Sequence, residues 1–506
     1  MTFKILGNYF NGKFNLPQTS GPNAVENIIE RFSPADLSQK LWIAPIEYNH
    51  ISQIVESAQQ GQIIWKKTPI ETKIQLLKQY QIEVTNSKNE LATAISLETG
   101  KPLWEALTEV ASVISKVDVT ISDSLPRIKN KIITNVLPET DGHIFYKPIG
   151  PCLIIGPFNF PCHLANGQIL SALISGNSII FKPSEKTFYS AQLLIECFHK
   201  ANFPKGVINF ILGDGEVGKR LLKEKSIKGV FFTGSKEVGK KILDVTHNDL
   251  TKLVSLELGG KNTSIVHQDA DLKLVLPELL KSCFLTSGQR CTSTAIVAIQ
   301  KNILNEFLEK FHFYSKKIII DHPIDFVKTP FMGPLIDQSA VDSYLLFMGM
   351  AKREGIQEIM RGKIIEKNKK GHYVSPSIHL TEKWNHESLF LQSEIFGPNV
   401  TFVPYDHIDE AIKIANATEY GLASALFSND RSLFNYCVDE IDAGLINFNR
   451  STVGASAKLP FGGVKNSGNY HPAALTTIDS CVYQMSALEV KNNTIENIES
   501  IVGLDV

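Results

Sequence analysis

Between residues 151 and 267, short apolar runs alternate with segments of helical period, and no other feature limits the fold as tightly. "CLIIGPF", "SIIFKPS", "VINFILG", "KGVFFTG" and "KLVSLELGG" are each closed by Gly or Pro, and between them lie stretches such as "YSAQLLIECFHKANF" and "KEVGKKILDVT". Apolar runs without polar alternation predict strands buried on both faces, hence a parallel sheet covered by helices. A second alternating region spans about 268–450, with "CTSTAIVAIQ", "GHYVSPSIHL" and "DEAIKIANAT". The first 120 or so residues read as mostly helical behind a polar leading segment, with "GKP" as punctuation at 100–102. Residues 127–148 offer two β-prone runs around "PETDG", a predicted hairpin, and "SCVYQMSALEV" predicts a last strand. At 506 residues the chain exceeds the size at which single cores split, so the fold class is α/β in two or three units.

Charge excludes some partners. Lys+Arg is 51 against Asp+Glu 52, a formal net charge of -1, which gives no electrostatic attraction for nucleic acid or an anionic membrane. No apolar run reaches the ~18 residues of a membrane span, and the first residues lack a secretory h-region. The seven cysteines are spread without a C-x-x-C pair, and there is no H-E-x-x-H, so neither disulfides nor a metal site is expected. This points to a cytoplasmic protein with reduced thiols.

Two glycine-rich turns compete as a phosphate site. "GDGEVG" at 213–218 fits G-x-G-x-x-G after a strand and before a helix. "FFTGSKEVGKK" at 231–241 puts Gly234 and Ser235 at a strand end and Gly239 in the first helical turn, where unpaired N–H groups attract anions. Either is also readable as a plain capped turn. Lys182 and Glu185 leave another strand end, where a carboxylate can bind ribose hydroxyls or simply start a surface helix. Glu257 closes an apolar strand before two glycines, either as an exposed end or as a tuned group. Cys291 follows 34 residues later in "SGQRCTS", space for one helix, so that thiol and carboxylate from adjacent strand ends could share a cleft. A neighbouring cation such as Arg290 would raise the thiolate fraction. Asn159, inside the rigid "GPFNFP", suits an oxyanion donor or its own loop backbone.

Seven stretches, "GPFNFP", "GNSIIFKPSE", "FTGSKEVG", "LELGGKN", "SGQRCTS", "EIFGP" and "LPFGG", occur in the order and spacing of the aldehyde dehydrogenase superfamily, and the resemblance runs from about residue 8 to 490. It implies a Rossmann-like NAD domain (1–126 and 149–256), an α/β catalytic domain (257–450) and a β oligomerisation arm (127–148 and 470–490). The family's pyrophosphate loop falls on Gly234, Ser235, Lys236, Glu237, Val238 and Gly239, leaving "GDGEVG" as a turn near the adenine end. Lys182 and Glu185 match contacts to the adenosine ribose, and Glu394 and Phe396 match residues holding the nicotinamide ribose. Asn159, Glu257 and Cys291 match the oxyanion donor, the general base and the nucleophile. Phe158 and Phe461 match walls of a substrate tunnel.

The implied cofactor is NAD, without a metal. The implied partners are a small aldehyde and further copies of the chain, as a dimer or dimer of dimers. Within the superfamily, "ETGKPLWEALTEV", "GPFNFPCHLANGQI", "GNYHPAA" and "MSALE" resemble the branch that oxidises N-succinylglutamate 5-semialdehyde in arginine catabolism by the succinyltransferase pathway. Glutamate semialdehyde, in equilibrium with pyrroline carboxylate, is the alternative substrate. A CoA-acylating relative is disfavoured by Glu257, which such an enzyme does not need as a water-activating base. Lys458 and His471 are candidates for the distal carboxylates, each equally readable as solvent-exposed.

Overall fold

The computed structural model describes residues 2–17, 27–491 and 502–505. Ahead of residue 46 the described residues correct the helical expectation, because the elements there are strands. β1 (Asn8–Phe10) and β2 (Lys13–Asn15) make a tight hairpin, and β3 (Ile28–Ser33) pairs antiparallel with β4 (Asp36–Pro45). The first turn is Asn11–Gly12, both at positive φ (52° and 78°), the conformation that suits a two-residue hairpin loop. That Asn–Gly pair was the overlooked signal.

Helices α1 (His50–Trp65), α2 (Ile70–Asn86), α3 (Lys88–Thr99) and α4 (Leu103–Val119) follow. Helix α4 is buried twice over. Ala106, Val110, Val113 and Val117, at i, i+4, i+7 and i+11, form an apolar stripe with no exposure. Glu105, Glu109, Ser112 and Lys116 repeat the same spacing, and the three charged members are only 1–2% exposed.

β5 (Lys131–Leu137) and β6 (Thr140–Pro148) form the hairpin, and strand Val482–Val490 pairs antiparallel along β6. β5 is left as an edge with Ile132, Ile133, Val136 and Leu137 exposed.

The first large sheet is built from β7 (Cys152–Ile155), β8 (Ile179–Lys182), β9 (Ile208–Phe210), β10 (Gly229–Thr233) and β11 (Leu253–Glu257). The helices between them are α5 (His163–Ile174), α6 (Phe188–Lys200), α7 (Gly215–Leu222) and α8 (Lys236–Thr246). Strand order is β11-β10-β7-β8-β9, all parallel, with β1 and β2 added antiparallel at the β9 edge. From β7 the chain winds to β8 and β9 on one side, then to β10 and β11 on the other. The loops leaving β7 and β10 therefore diverge and open a crevice at their carboxyl ends.

β12 (Asn262–Val266), α9 (Leu272–Phe284) and β13 (Thr294–Gln300) begin a second seven-stranded sheet. Its remaining strands are Gln357–Met360, Ser377–Leu380, Asn399–Tyr405, Ala423–Phe427 and Leu445–Phe448, and only the Gln357–Met360 pairing is antiparallel. Along β13, Ile296 and Ala298 join one core cluster while Val297 and Ile299 join another. The period of two thus buries both faces, as the unalternating runs predict.

Glu257 and Cys291 are not on adjacent strand ends. Glu257 ends β11, the edge of the first sheet, and Cys291 precedes β13 in the second. They meet from two different sheets. Among the described residues no helix is long and apolar enough to cross a membrane.

Candidate active site

A cavity of about 960 Å³ occupies the switch-point crevice. It is lined by the loop after β7 (Gly156 to Asn159), the exit of β8 (Lys182, Ser184, Glu185, Lys186), parts of α7 and α8, and Cys291, Glu394 and Phe396. Both glycine-rich turns contribute, through Gly215 and Gly218 of the first and Gly234, Ser235 and Val238 of the second. Lys236, Glu237 and Gly239 do not line it. Lys236 is turned to Glu419 at 2.7 Å, and Gly239 packs on Leu258, 2.8 Å from where a Cβ would stand. Ser235 caps α8 by accepting the Val238 N–H at 3.3 Å.

Lys182 is 4% exposed, its ammonium donating to the Pro183 carbonyl at 3.2 Å, and burial lowers its pKa. Glu185 is exposed at the cavity edge. Phe158 and Phe396 meet edge to face at 5.8 Å on this same cavity. Burial pushes the Glu394 carboxyl up to about 7, although it accepts the Gly260 N–H at 3.0 Å. Neither Gly259 nor Gly260 has positive φ, so these glycines serve close approach rather than a turn. A Cβ on Gly259 would stand 2.0 Å from the Glu394 carboxylate, and one on Gly260 would stand 2.7 Å from the Cys291 carbonyl.

Cys291 is the one cysteine of the seven that is partly exposed; the other six are buried. It follows three residues in the left-handed region, Thr286 (φ 56°), Ser287 (φ 55°) and Gly288 (φ 70°). The two non-glycine residues each carry strain of about 1–3 kcal/mol, which surrounding contacts must hold. The Glu105 carboxylate accepts from the Thr286 N–H (3.2 Å), from the Thr286 hydroxyl and from Arg290. Ser287 Oγ donates to Gly333 O at 2.7 Å, and Gln289 Oε1 accepts from the Ile336 N–H at 3.0 Å. Asn262 Nδ2 donates to the carbonyls of Cys291 (2.7 Å) and Ser293 (2.9 Å).

Arg290 is thus committed to Glu105 and to the Phe160 ring, 5.0 Å from its centroid. The thiol is pushed up to about 12 by burial first, then by Glu394 and Glu257; Arg290 and the cysteine's own N–H oppose this only in part. Arg290 thus acts in the expected direction, favouring the thiolate, but burial and the two carboxylates outweigh it.

Asn159 is buried. Its Oδ1 accepts the Phe160 N–H at 3.1 Å and its Nδ2 donates to Gln289 O at 2.9 Å, leaving a second amide hydrogen. Glu257 lines neither large cavity: its Oε1 accepts the Ala473 N–H at 3.1 Å, and its Oε2 is buried without a partner among the described residues. Burial raises this carboxyl well above the usual carboxylate range.

On the other side of Cys291 lies a cavity of about 300 Å³. It is lined by Glu109, Ser112 and Lys116 of α4, by Phe160, His163, Gly167 and Gln168, by Arg290 and Thr292, and by segments 454–457 and 473–474 with Phe461. Phe160, rather than Phe158, joins Phe461 as an aromatic wall. Lys458 is exposed, and the His471 ring faces the Ser480 hydroxyl at 3.4 Å while its backbone carbonyl accepts from the Ser255 hydroxyl; neither lines this cavity.

Two cavities with a thiol between them, one at a sheet switch point, correspond to a known family. The sequence matches the aldehyde dehydrogenase family over residues 22–484. The chain belongs to that family. An N-succinylglutamate 5-semialdehyde dehydrogenase from Novosphingobium aromaticivorans is 36% identical over 445 residues, 87% of this chain and 92% of that one. N-succinylglutamate 5-semialdehyde dehydrogenase 1 from Caulobacter vibrioides is 34% identical over 441 residues, 87% and 91% of the two chains. Among solved structures, betaine aldehyde dehydrogenase from Staphylococcus aureus in complex with NAD+ superposes with a TM-score of 0.90 at 26% identity, covering 98% of this chain and 97% of that one.

Six residues that line the cavities or brace the Cys291 loop had no role assigned from the sequence: Glu105, Glu109, Lys116, Phe160, His163 and Asn262. For the first three the signal was present in α4. Glu105, Glu109 and Lys116 interrupt an apolar helix at helical spacing, which marks a polar face that must find buried partners.

Proposed function

We propose that this aldehyde dehydrogenase oxidises N-succinylglutamate 5-semialdehyde to N-succinylglutamate with NAD+, Cys291 being the nucleophile. The observation that carries this reading is the place of Cys291, the one partly exposed cysteine, on the lining of both cavities. The names of the relatives and the cationic smaller cavity support the substrate.

The larger cavity fits a nicotinamide dinucleotide. A Cβ on Gly234 would stand 2.4 Å from the Phe232 ring, so the loop keeps a bare backbone beside the start of α8. Lys182 brings a buried cation and Glu185 a carboxylate, suited to ribose hydroxyls. In this reading Gly234, Ser235 and Val238 hold the pyrophosphate, and Glu394 and Phe396 hold the nicotinamide ribose. When bound, the group supplies the hydride acceptor that lets a thioester form on Cys291.

The remaining work falls to the chain. The Cys291 sulfur attacks the aldehyde carbon as the thiolate, its proton leaving to solvent. The free Asn159 N–H and the Cys291 N–H receive the oxyanion. Glu257 then removes a proton from the water that hydrolyses the thioester.

The unit boundaries of the sequence reading are kept, with residues 127–148 and 470–490 as the arm. The exposed apolar edge of β5 makes it the surface through which a second copy pairs. Seven unpaired cysteines accord with a reducing cytoplasm.

The test is NADH formation by the purified protein with succinylglutamate semialdehyde, glutamate semialdehyde, succinic semialdehyde and butanal. The succinylated compound is expected to give the highest kcat/KM, with no turnover in Cys291→Ala. Equal kcat/KM for all four removes the substrate assignment.

A further inference from the structure

Five charged side chains from α4 and its surroundings gather at the smaller cavity, and four of them cancel. Lys101 and Glu109 form an ion pair at 2.6 Å with no exposure of either side chain. The same Glu109 carboxylate also accepts the N–H groups of Cys162 (3.1 Å) and His163 (3.1 Å) at the start of α5. Arg290 and Glu105 form the second pair. The fifth charge is Lys116. It is 2% exposed, lines the cavity, and makes no ion pair among the described residues. Its ammonium donates to the Ala474 carbonyl at 3.0 Å, which leaves two of its three N–H groups. Asp123 acts on it only from beyond ion-pair distance.

The surroundings are arranged to accept this ammonium. Its stem crosses Gly167, where an added Cβ would stand 3.6 Å from Lys116 Cε. His163, on the same lining, carries a buried Nδ1 with no partner among the described residues. A buried cation without a counter-ion is costly unless an anion neutralises it. An uncharged side chain of similar length would fill the same space without that cost.

We propose that Lys116, assisted by His163, binds a carboxylate of the aldehyde substrate and so selects carboxylate-bearing aldehydes over plain ones. This inference rests on the substrate reading above and names the residues that enforce it. Neither Lys458 nor His471, the cations considered from sequence, lies on this wall.

The experiment compares wild type, Lys116→Met and Lys116→Arg, using the ratio of kcat/KM for succinylglutamate semialdehyde to that for butanal. Inhibition by N-succinylglutamate at saturating NAD+ is a second readout that needs no turnover of the dianion. A charge-assisted hydrogen bond predicts that Lys116→Met lowers the ratio about 10- to 100-fold and weakens inhibition by a similar factor. The loss should fall mainly on KM, and Lys116→Arg should recover most of it.

A large wild-type ratio that Lys116→Met leaves intact overturns the inference while the substrate reading stands. Equal losses in Met and Arg overturn it too, because shape rather than charge would then be at work. A wild-type ratio near one overturns the substrate reading and the inference with it. Butanal turnover in each variant shows that the protein is folded.

Discussion

The two cavities that meet at Cys291 are made of different material. The larger is organised by loops at strand ends, Gly156 to Asn159 after β7, Gly234 and Ser235 after β10, Leu258 and Gly259 after β11, backed by one face each of α7 and α8. The smaller is made of side chains on helix faces, from Glu109, Ser112 and Lys116 on α4 and His163 and Gly167 on α5, closed by segments far downstream, 454–457 and 473–474. Backbone loops at a sheet switch point suit a ligand shared by many enzymes, because their geometry follows from strand order. Helix-face side chains can be exchanged one at a time without disturbing the sheet, which suits a ligand particular to one enzyme. The difference separates what all aldehyde dehydrogenases need from what this one selects.

The largest expected effect belongs to the residue shared by both cavities. Cys291→Ala should lower aldehyde oxidation by about 10⁴-fold or more, since a nucleophile cannot be bypassed by binding alone. Turnover near the wild-type value would remove the shared centre on which the comparison depends. Asn159→Ala should lower kcat by about 10²–10³-fold for every aldehyde, the effect of losing one oxyanion donor; a loss confined to one substrate would move Asn159 to the selective side.

Glu105 sharpens the contrast with Lys116, although both stand on one stripe of α4. Glu105 holds the left-handed Thr286 and Arg290 and so supports the reacting loop itself. Glu105→Ala should lower kcat about 10²-fold for all aldehydes alike, through misplacement of Cys291. Glu105→Gln, which retains an acceptor, should recover part of this. A ratio of succinylated to plain aldehyde that shifts as in Lys116→Met would show that the two residues do the same work.

Legibility followed the same division. The parallel sheets were read from unalternating apolar runs, the strand-end residues Lys182, Gly234 and Ser235 from motifs whose spacing is fixed by local geometry, and Glu394 from the family resemblance. The N-terminal hairpins were missed because short strands with half-exposed faces carry little periodic signal, leaving Asn11–Gly12 as the only cue. Lys116 and His163 were missed because their meeting depends on how α4 packs against α5. Arg290 was seen, but as a neighbour of the thiol; its pairing with Glu105 spans 185 residues of sequence and is invisible from either end.

Glu257 gives a pH test. Its raised carboxyl is protonated over a pH range where an ordinary glutamate is ionised, and only the ionised form can act as a base. Thioester hydrolysis should therefore rise with pH through an inflection above the usual carboxylate range, and Glu257→Gln should abolish that inflection in single-turnover kinetics. The stability sign is opposite. Because folding raises this pKa, the ionised carboxylate weakens the fold progressively as pH rises from the unfolded value through the folded one. Glu257→Gln should thus raise the thermal midpoint more at pH 8 than at pH 5. An equal change at both values would contradict the burial argument.

The smallest effect concerns the cofactor side alone. Glu185 at the cavity edge should repel a 2′-phosphate, so wild type should prefer NAD+ to NADP+. Glu185→Ser should narrow that preference about tenfold, or ~1.4 kcal/mol, with little change in aldehyde selectivity. A change in aldehyde selectivity instead would mean that the two cavities are not separate in function.

The central claim is that ligands in both cavities must meet at Cys291, and it is tested most directly by trapping the acyl-enzyme. Glu257→Gln is mixed with succinylglutamate semialdehyde, with and without NAD+, quenched in acid, and analysed by intact-protein and peptide mass spectrometry. One acyl group on Cys291, formed only when both ligands are present and together with one NADH per site, is the predicted result. An adduct on any of the six buried cysteines, or an acyl adduct that survives quenching when NAD+ is omitted, would contradict the account.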